Sequence, residues 1–126
     1  MPDFLSLQDV LLLHQDQIDL YGGDLGVRDL GLLESAIAQP QATYGGDHLH
    51  GDLFEMAAAY LFHIVQNHPF VDGNKRTGAV AALAFLDLNG VEIDAPKGSV
   101  YDLTMSVATG QAGKGEIAAF FRKYAH

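Results

Sequence analysis

Apolar residues along this chain recur at helical spacing almost throughout, with strand-like alternation nearly absent. Leu7, Val10, Leu11, His14, Ile18 and Tyr21 share one helical face, and Ser6 with Asp9 forms a capping box in which Asp replaces the usual Glu or Gln. Gly22-Gly23 stops that helix. Asp29 caps a second helix carrying Leu30, Leu33 and Ile37, which Pro40 ends at about Gln39. Asp52 caps a third, from Leu53 to about Asn67, which is apolar nearly all round and therefore expected at the centre of the molecule. A fourth starts at Asn74 and stops at Asn89-Gly90; a fifth is capped by Ser99 with Asp102 and ends at Gly110. The last runs from about Glu116 to Tyr124, with Ile117, Phe120, Phe121 and Tyr124 at helical spacing. Gln41 to Gly51 is the least regular stretch, with Gly45-Gly46 as a turn inside either a small hairpin or an extended flap. Val91-Glu92-Ile93 is a short extended connector, too isolated to seed a sheet. The pattern predicts an all-α fold: one compact domain over residues 1–126, about six helices, and a short flap before the central one.

Between the third and fourth helices lies His68-Pro69-Phe70-Val71-Asp72-Gly73-Asn74-Lys75-Arg76. Pro69 disfavours helical geometry at His68, so the incoming helix stops there. The outgoing helix begins inside the same stretch, and a helix start presents free N–H groups and a positive dipole end. Lys75 and Arg76 add two cations where the dipole already repels them, so an anion is expected at that point. Gly73 allows a positive φ and a close approach of backbone amides to an oxyanion. Asn74 suits an N-cap. Asp72 is either the counter-ion of these cations or a ligand for Mg²⁺ bridging phosphates. His68 brings an imidazole, the side chain suited to take a proton from an attacking hydroxyl. His14, on an apolar stripe, reads instead as a packed, hydrogen-bonded histidine.

Composition narrows the partners. The chain has 126 residues, no cysteine, 48% hydrophobic residues and a net charge of −9. Disulfides and thiolate chemistry are excluded, and a charge this acidic argues against direct binding of nucleic acid. No signal peptide opens the chain and no apolar run spans a membrane, so a cytoplasmic protein is expected. A local basic spot on an acidic chain fits a nucleotide or a phosphorylated small molecule better than a polymer. No G-x-x-x-x-G-K-S/T loop offers a rival ATP site.

The motif HPFVDGNKR resembles the signature loop of the Fic/Doc superfamily, His-x-Phe-x-(Asp/Glu)-Gly-Asn-Gly-Arg-x-x-Arg. Its Asn-Lys-Arg ending, the short chain and the upstream LHQDQIDLYGGDLGVRDLGLLESAIAQP resemble the Doc (death-on-curing) branch. The resemblance covers residues from about Val10 to Gly110. It implies a compact Fic-like helical bundle that transfers a phosphorus-containing group from ATP, with Mg²⁺, to a protein hydroxyl. By position, His68 would be the general base and Asp72 the metal-holding residue, while Gly73, Asn74, Lys75 and Arg76 would cradle the nucleotide phosphates. The chain departs from the pattern twice: Lys75 replaces the second glycine and Ala79 the second arginine. In AMP-transferring relatives those two positions make room for and hold the outgoing phosphates. With a lysine in that space, the Doc analogy implies that the γ-phosphate faces the attacking hydroxyl, making the chain a protein kinase rather than an AMP transferase. The resemblance further implies a toxin–antitoxin module whose target is a threonine of elongation factor Tu. None of the four glutamates has Ser or Thr four residues before it, as the inhibitory Ser/Thr-x-x-x-Glu helix of some relatives requires, so a cognate antitoxin is expected as a separate chain.

A metal-dependent hydrolase is the rival from another class, because Asp47-His48-Leu49-His50-Gly51-Asp52 contains a His-x-His pair with His63 and His68 not far along the chain. A third reading is a binding module that has kept the fold without catalysis.

Overall fold

The computed structural model describes all 126 residues as six α-helices with one two-stranded ribbon. In chain order these are α1 (Leu7–Tyr21), α2 (Leu30–Ala38), a 3₁₀ turn (Gln39–Gln41), β1 (Thr43–Tyr44), β2 (Asp47–His48), α3 (Leu53–Asn67), α4 (Asn74–Leu88), α5 (Ser99–Ala108) and α6 (Lys114–Tyr124). The all-α expectation holds. No helix is long and apolar enough to cross a membrane.

Local chemistry explains most of the boundaries. Ser6 Oγ accepts from the Asp9 amide while the Asp9 carboxylate accepts from the Ser6 amide, closing the capping box of α1. The Asp29 and Asp52 carboxylates accept from the amides of Leu32 and Glu55 at 3.0 and 2.8 Å, opening α2 and α3. Pro40 does not stop α2 outright; it sits within a further 3₁₀ turn, where its missing N–H leaves no bond unmade. The 41–51 stretch resolves as a hairpin, pairing Thr43 with His48 and Tyr44 with Asp47. Gly45 and Gly46 both take positive φ, as so tight a turn demands.

The starts of α5 and α6 differ from expectation. α5 is opened by Gly98 in the left-handed conformation, and the Ser99 hydroxyl turns back to the Pro96 carbonyl instead of capping with Asp102. α6 starts two residues before Glu116, because that carboxylate reaches back to accept from the Gly113 amide at 3.2 Å. The 91–93 connector forms a single bridge, Ile93 with Ala125, which ties the C-terminal tail to the end of α4.

α3 is the hub. It packs against α2, α4, α5 and α6, while α1 lies on α4. Met56 to Leu61, Ile64 and Val65 are all buried, joining Leu33, Phe85, Val107 and Phe121 in one core. The α3–α4 contact is tight at Gly78, where a Cβ would stand 2.9 Å from Val65 Cγ2 and 3.2 Å from the Leu61 carbonyl oxygen. That closeness sets how α4, and so the loop before it, meets the core.

Gly78→Ala is therefore expected to destabilise the fold by about 1–3 kcal/mol through overpacking, despite alanine's better helix propensity. A urea denaturation midpoint that rises instead would show that α3 and α4 have slack here.

Candidate active site

The loop joining α3 to α4 is short, and almost every residue in it is tied down. α3 ends as His68 swings into the left-handed conformation at φ 50°, the one non-glycine residue with positive φ. Histidine tolerates this region better than most, yet it costs roughly 1–2 kcal/mol and marks a position held by its surroundings. The holding group is Arg28, whose guanidinium donates to the His68 and Asn67 carbonyls at 2.8 and 3.0 Å. The backbone beside it completes the clamp: the Arg28 and Asp29 amides donate to the Pro69 carbonyl, and the Val71 amide donates to Gly26. The α1–α2 loop thus lies as a short antiparallel strand along the motif, bridging Val27 to Phe70.

The inner side of the loop is fixed by packing. Phe70 is buried and stacks on His14 with ring centroids 3.8 Å apart and an angle of 4°. His14 Nε2 donates to the Asp72 carbonyl at 2.8 Å, so this histidine is the packed, hydrogen-bonded one its position on α1 suggests. Asn74 differs from expectation. Its amide does not cap α4; it bonds both the amide and the carbonyl of Phe70, at 2.9 and 3.0 Å, and Gly73 at φ 78° takes the cap position. With no side-chain cap there, the first helical bond runs from the Thr77 amide to Gly73, and the amides of Asn74, Lys75 and Arg76 have no intrahelical partner.

Those amides open onto a cleft of about 870 Å³. All six motif residues singled out for chemistry line it: His68, Asp72, Gly73, Asn74, Lys75 and Arg76. Ala79 lies one turn further along the same wall, and α5 closes the far side with Val100, Tyr101, Thr104 and Met105. The Asp72 carboxylate accepts from the Gly73 and Asp24 amides at 2.8 and 3.3 Å. Gly23 takes φ 117°, which L side chains rarely adopt, and a Cβ there would also come within 2.6 Å of this carboxylate, so the α1–α2 turn favours glycine. Arg76 donates to the Gly22 carbonyl at 3.0 Å and lies over the Tyr21 ring. The only side-chain ion pair, Arg122 with Asp52 at 2.9 Å, is elsewhere, so Lys75 and Arg76 face the cleft without a carboxylate bound to either. Chemically this is an anion cradle with an imidazole and a carboxylate at its edge and an apolar wall opposite.

It fits a magnesium nucleotide. Three free amides and two unpaired cations suit phosphates; a lone carboxylate suits Mg²⁺, which usually takes one or two carboxylates together with substrate phosphates. Arg28, His14 and the Gly22-Gly23 turn are parts of the site that sequence reasoning did not assign. Their partners lie 39 to 58 residues away, so only His14, through its place on the apolar stripe, left a local signal.

A family model described as the Fic/DOC family matches residues 4–86. The chain is 42% identical over 121 residues to "Toxin Doc" of Mycolicibacterium smegmatis, covering 94% of this chain and 91% of that protein. It is 38% identical over 120 residues to "Protein kinase doc" of Escherichia phage P1, covering 94% and 93%.

The histidines proposed for a metal-dependent hydrolase do not assemble. No three His, Asp or Glu side chains gather where they could hold a metal ion. His48 lies against Phe4, whereas His50 and His63 flank Lys114 near the start of α6. Burial first, then the Lys114 ammonium and His50, push the His63 imidazole down to about 4. A depressed folded value favours the neutral form, so its contribution to stability is complete above the unfolded value of about 6.5 and is lost as pH falls toward 4. The urea midpoint should fall across that window, and His63→Gln should flatten the fall. An unchanged slope in the variant would assign the acid sensitivity to other groups.

Proposed function

The chain belongs to the Fic/DOC family, and we propose that it acts as a Doc-type toxin, a protein kinase that moves the γ-phosphate of ATP to a hydroxyl of a translation factor, with elongation factor Tu as the target. The observation that carries this reading is where the two departures from the Fic pattern fall. Lys75 and Ala79 both line the cleft, so a charged stem stands where AMP-transferring relatives keep open space, and the second phosphate-holding arginine is missing. A relative named a protein kinase, aligned over nearly the whole chain, supports the kinase reading.

The protein's own groups then divide the work. The amides of Asn74, Lys75 and Arg76 bind phosphate oxygens and, with the two cationic side chains, neutralise the charge that develops there. Arg76 is oriented for this by the Gly22 carbonyl. The Asp72 carboxylate would hold Mg²⁺, and His68, exposed on the same cleft, would take the proton released by the target's hydroxyl. Bound ATP with Mg²⁺ supplies the phosphoryl group and spreads charge over its oxygens. The apolar face of α5 would seat the rest of the nucleotide. Arg28 acts one step back, fixing the backbone that carries His68. Inhibition comes from a separate antitoxin.

Label from γ-labelled ATP is expected on elongation factor Tu, and label from α-labelled ATP is not. Transfer of the α label by the unmodified protein would overturn the kinase reading in favour of AMP transfer. His68→Ala should lower transfer by about 10²-fold or more with the circular dichroism unchanged. Lys75→Gly should lose phosphate transfer, and adding Ala79→Arg should raise whatever AMP transfer appears. Expression alone should arrest growth, and a neighbouring antitoxin should restore it; harmless expression of the folded protein would count against a toxin.

A further inference from the structure

One buried polar side chain in the cleft comes from outside the motif and has no task within the protein. Gln17 lines the cleft from α1 and is only 9% exposed. Beyond the motif, the cleft's other polar side chains are Tyr21 and Tyr101, both largely exposed, and Thr104, whose hydroxyl donates to the Val100 carbonyl. Gln17 forms no hydrogen bond with any protein atom, whereas His14, one turn earlier on α1, donates to the Asp72 carbonyl. Its amide nitrogen and oxygen are not sealed off either, because the inaccessible side-chain atoms without a partner belong to His48, His50 and Thr77. A polar side chain buried to this degree is normally satisfied by the protein. Here packing holds the stem and leaves the amide free toward the cleft.

The place of Gln17 along α1 says which part of the cleft it faces. His14, Gln17, Ile18 and Tyr21 follow the i, i+3, i+4, i+7 spacing of one helical face. Its three neighbours on that face all meet the motif. His14 bonds the Asp72 carbonyl, Ile18 Cδ1 stands 3.1 Å from where a Gly73 Cβ would be, and the Tyr21 ring lies against the Arg76 guanidinium. Along the helix axis Gln17 is about 4.5 Å beyond His14 and about 6 Å short of Tyr21. It therefore falls between the contacts to Asp72 and to Arg76, level with the open first turn of α4 rather than with the apolar wall of α5. The part of a nucleotide expected there is the phosphate chain. Ala79 and Val80, further along α4, offer it no donor. A glutamine amide supplies two N–H donors and adds no charge to a cradle that already holds two cations.

We propose that Gln17 is a phosphate-binding residue of the cleft, its side-chain N–H groups donating to an oxygen of the nucleotide's phosphate chain. The proposal rests on the nucleotide reading of the cleft and not on which phosphate is transferred.

The side-chain amide of Gln17 has its own NMR resonances, which can be followed in the full chain together with the Lys75 and Arg76 backbone amides. Magnesium ATP and magnesium tripolyphosphate should each shift the Gln17 Nε2 resonances saturably, in step with the two backbone amides. Adenosine should leave them unmoved. Gln17→Met keeps the length and loses the donor, so it should bind both phosphate compounds about tenfold more weakly or worse, the loss of one hydrogen bond to a charged partner. Gln17→Glu, of the same shape with a carboxylate in place of the donor, should weaken both further. The titration of the unmodified protein decides the matter even where a variant does not fold. Saturation of the backbone amides with Gln17 Nε2 unmoved leaves the cradle standing and overturns the proposal, showing a solvated amide only. A shift of Gln17 with adenosine, or a Met variant that keeps its affinity for tripolyphosphate, places the amide elsewhere on the ligand and also overturns it. If neither set of resonances responds to magnesium ATP, the nucleotide reading falls and the proposal falls with it.

Discussion

Everything at the motif depends on how the start of α4 is left open. A helix start normally has its orphan amides covered by a capping side chain. Here the obvious candidate, Asn74, spends its amide on the backbone of Phe70, and a glycine stands at the cap position. The loop is thereby self-supporting: Asn74 locks it from within, His14 stacks on Phe70 from below, and Arg28 holds its first carbonyls from outside. None of these groups occupies the free amides. The same contacts that stabilise the loop leave the first amides of α4 without protein partners, next to two cations that add to the dipole's positive end.

The rest of the fold serves that geometry. α3 is buried nearly all round, so the direction in which it delivers His68 is set by core packing rather than by the loop. α4 is registered against it at Gly78, where no larger residue fits without a shift. The α1–α2 turn supplies the outer wall, and its glycines carry out separate tasks: Gly22 offers a carbonyl to Arg76, and Gly23 makes room for the Asp72 carboxylate. On a chain of net charge −9, keeping Lys75 and Arg76 free of carboxylate partners concentrates positive potential where the bulk of the surface has none.

Helices and their ends were legible because caps act locally. Ser6, Asp29 and Asp52 cap within four residues of themselves, and the Asn89-Gly90 stop ends α4 locally while the Asn89 side chain also bonds the Asp3 backbone. Where expectation failed, a side chain had two local options. Ser99 turned to Pro96 instead of its own helix, and Asn74 turned to the loop behind it. The motif's chemistry was legible for a different reason: five kinds of polar side chain within nine residues have few structural uses together. Its supports were not, since Arg28 and Gly22 reach the loop only through tertiary folding, and an isolated arginine between helices looks like any solvated residue. The His48 and His50 pair shows the converse error. Spacing suggested a shared direction, yet one ring faces Phe4 and the other turns under the flap toward Lys114.

The central claim is that the open start of α4 is a preformed phosphate cradle. Titrating the protein with magnesium ATP while following its backbone amide resonances tests this most directly. The largest shifts are expected at Gly73, Asn74, Lys75 and Arg76, with the Phe70 amide nearly unmoved because Asn74 already holds it. Nucleotide binding that leaves the Lys75 and Arg76 amides unperturbed, or that reorganises Phe70, would contradict a cradle built in advance by the fold.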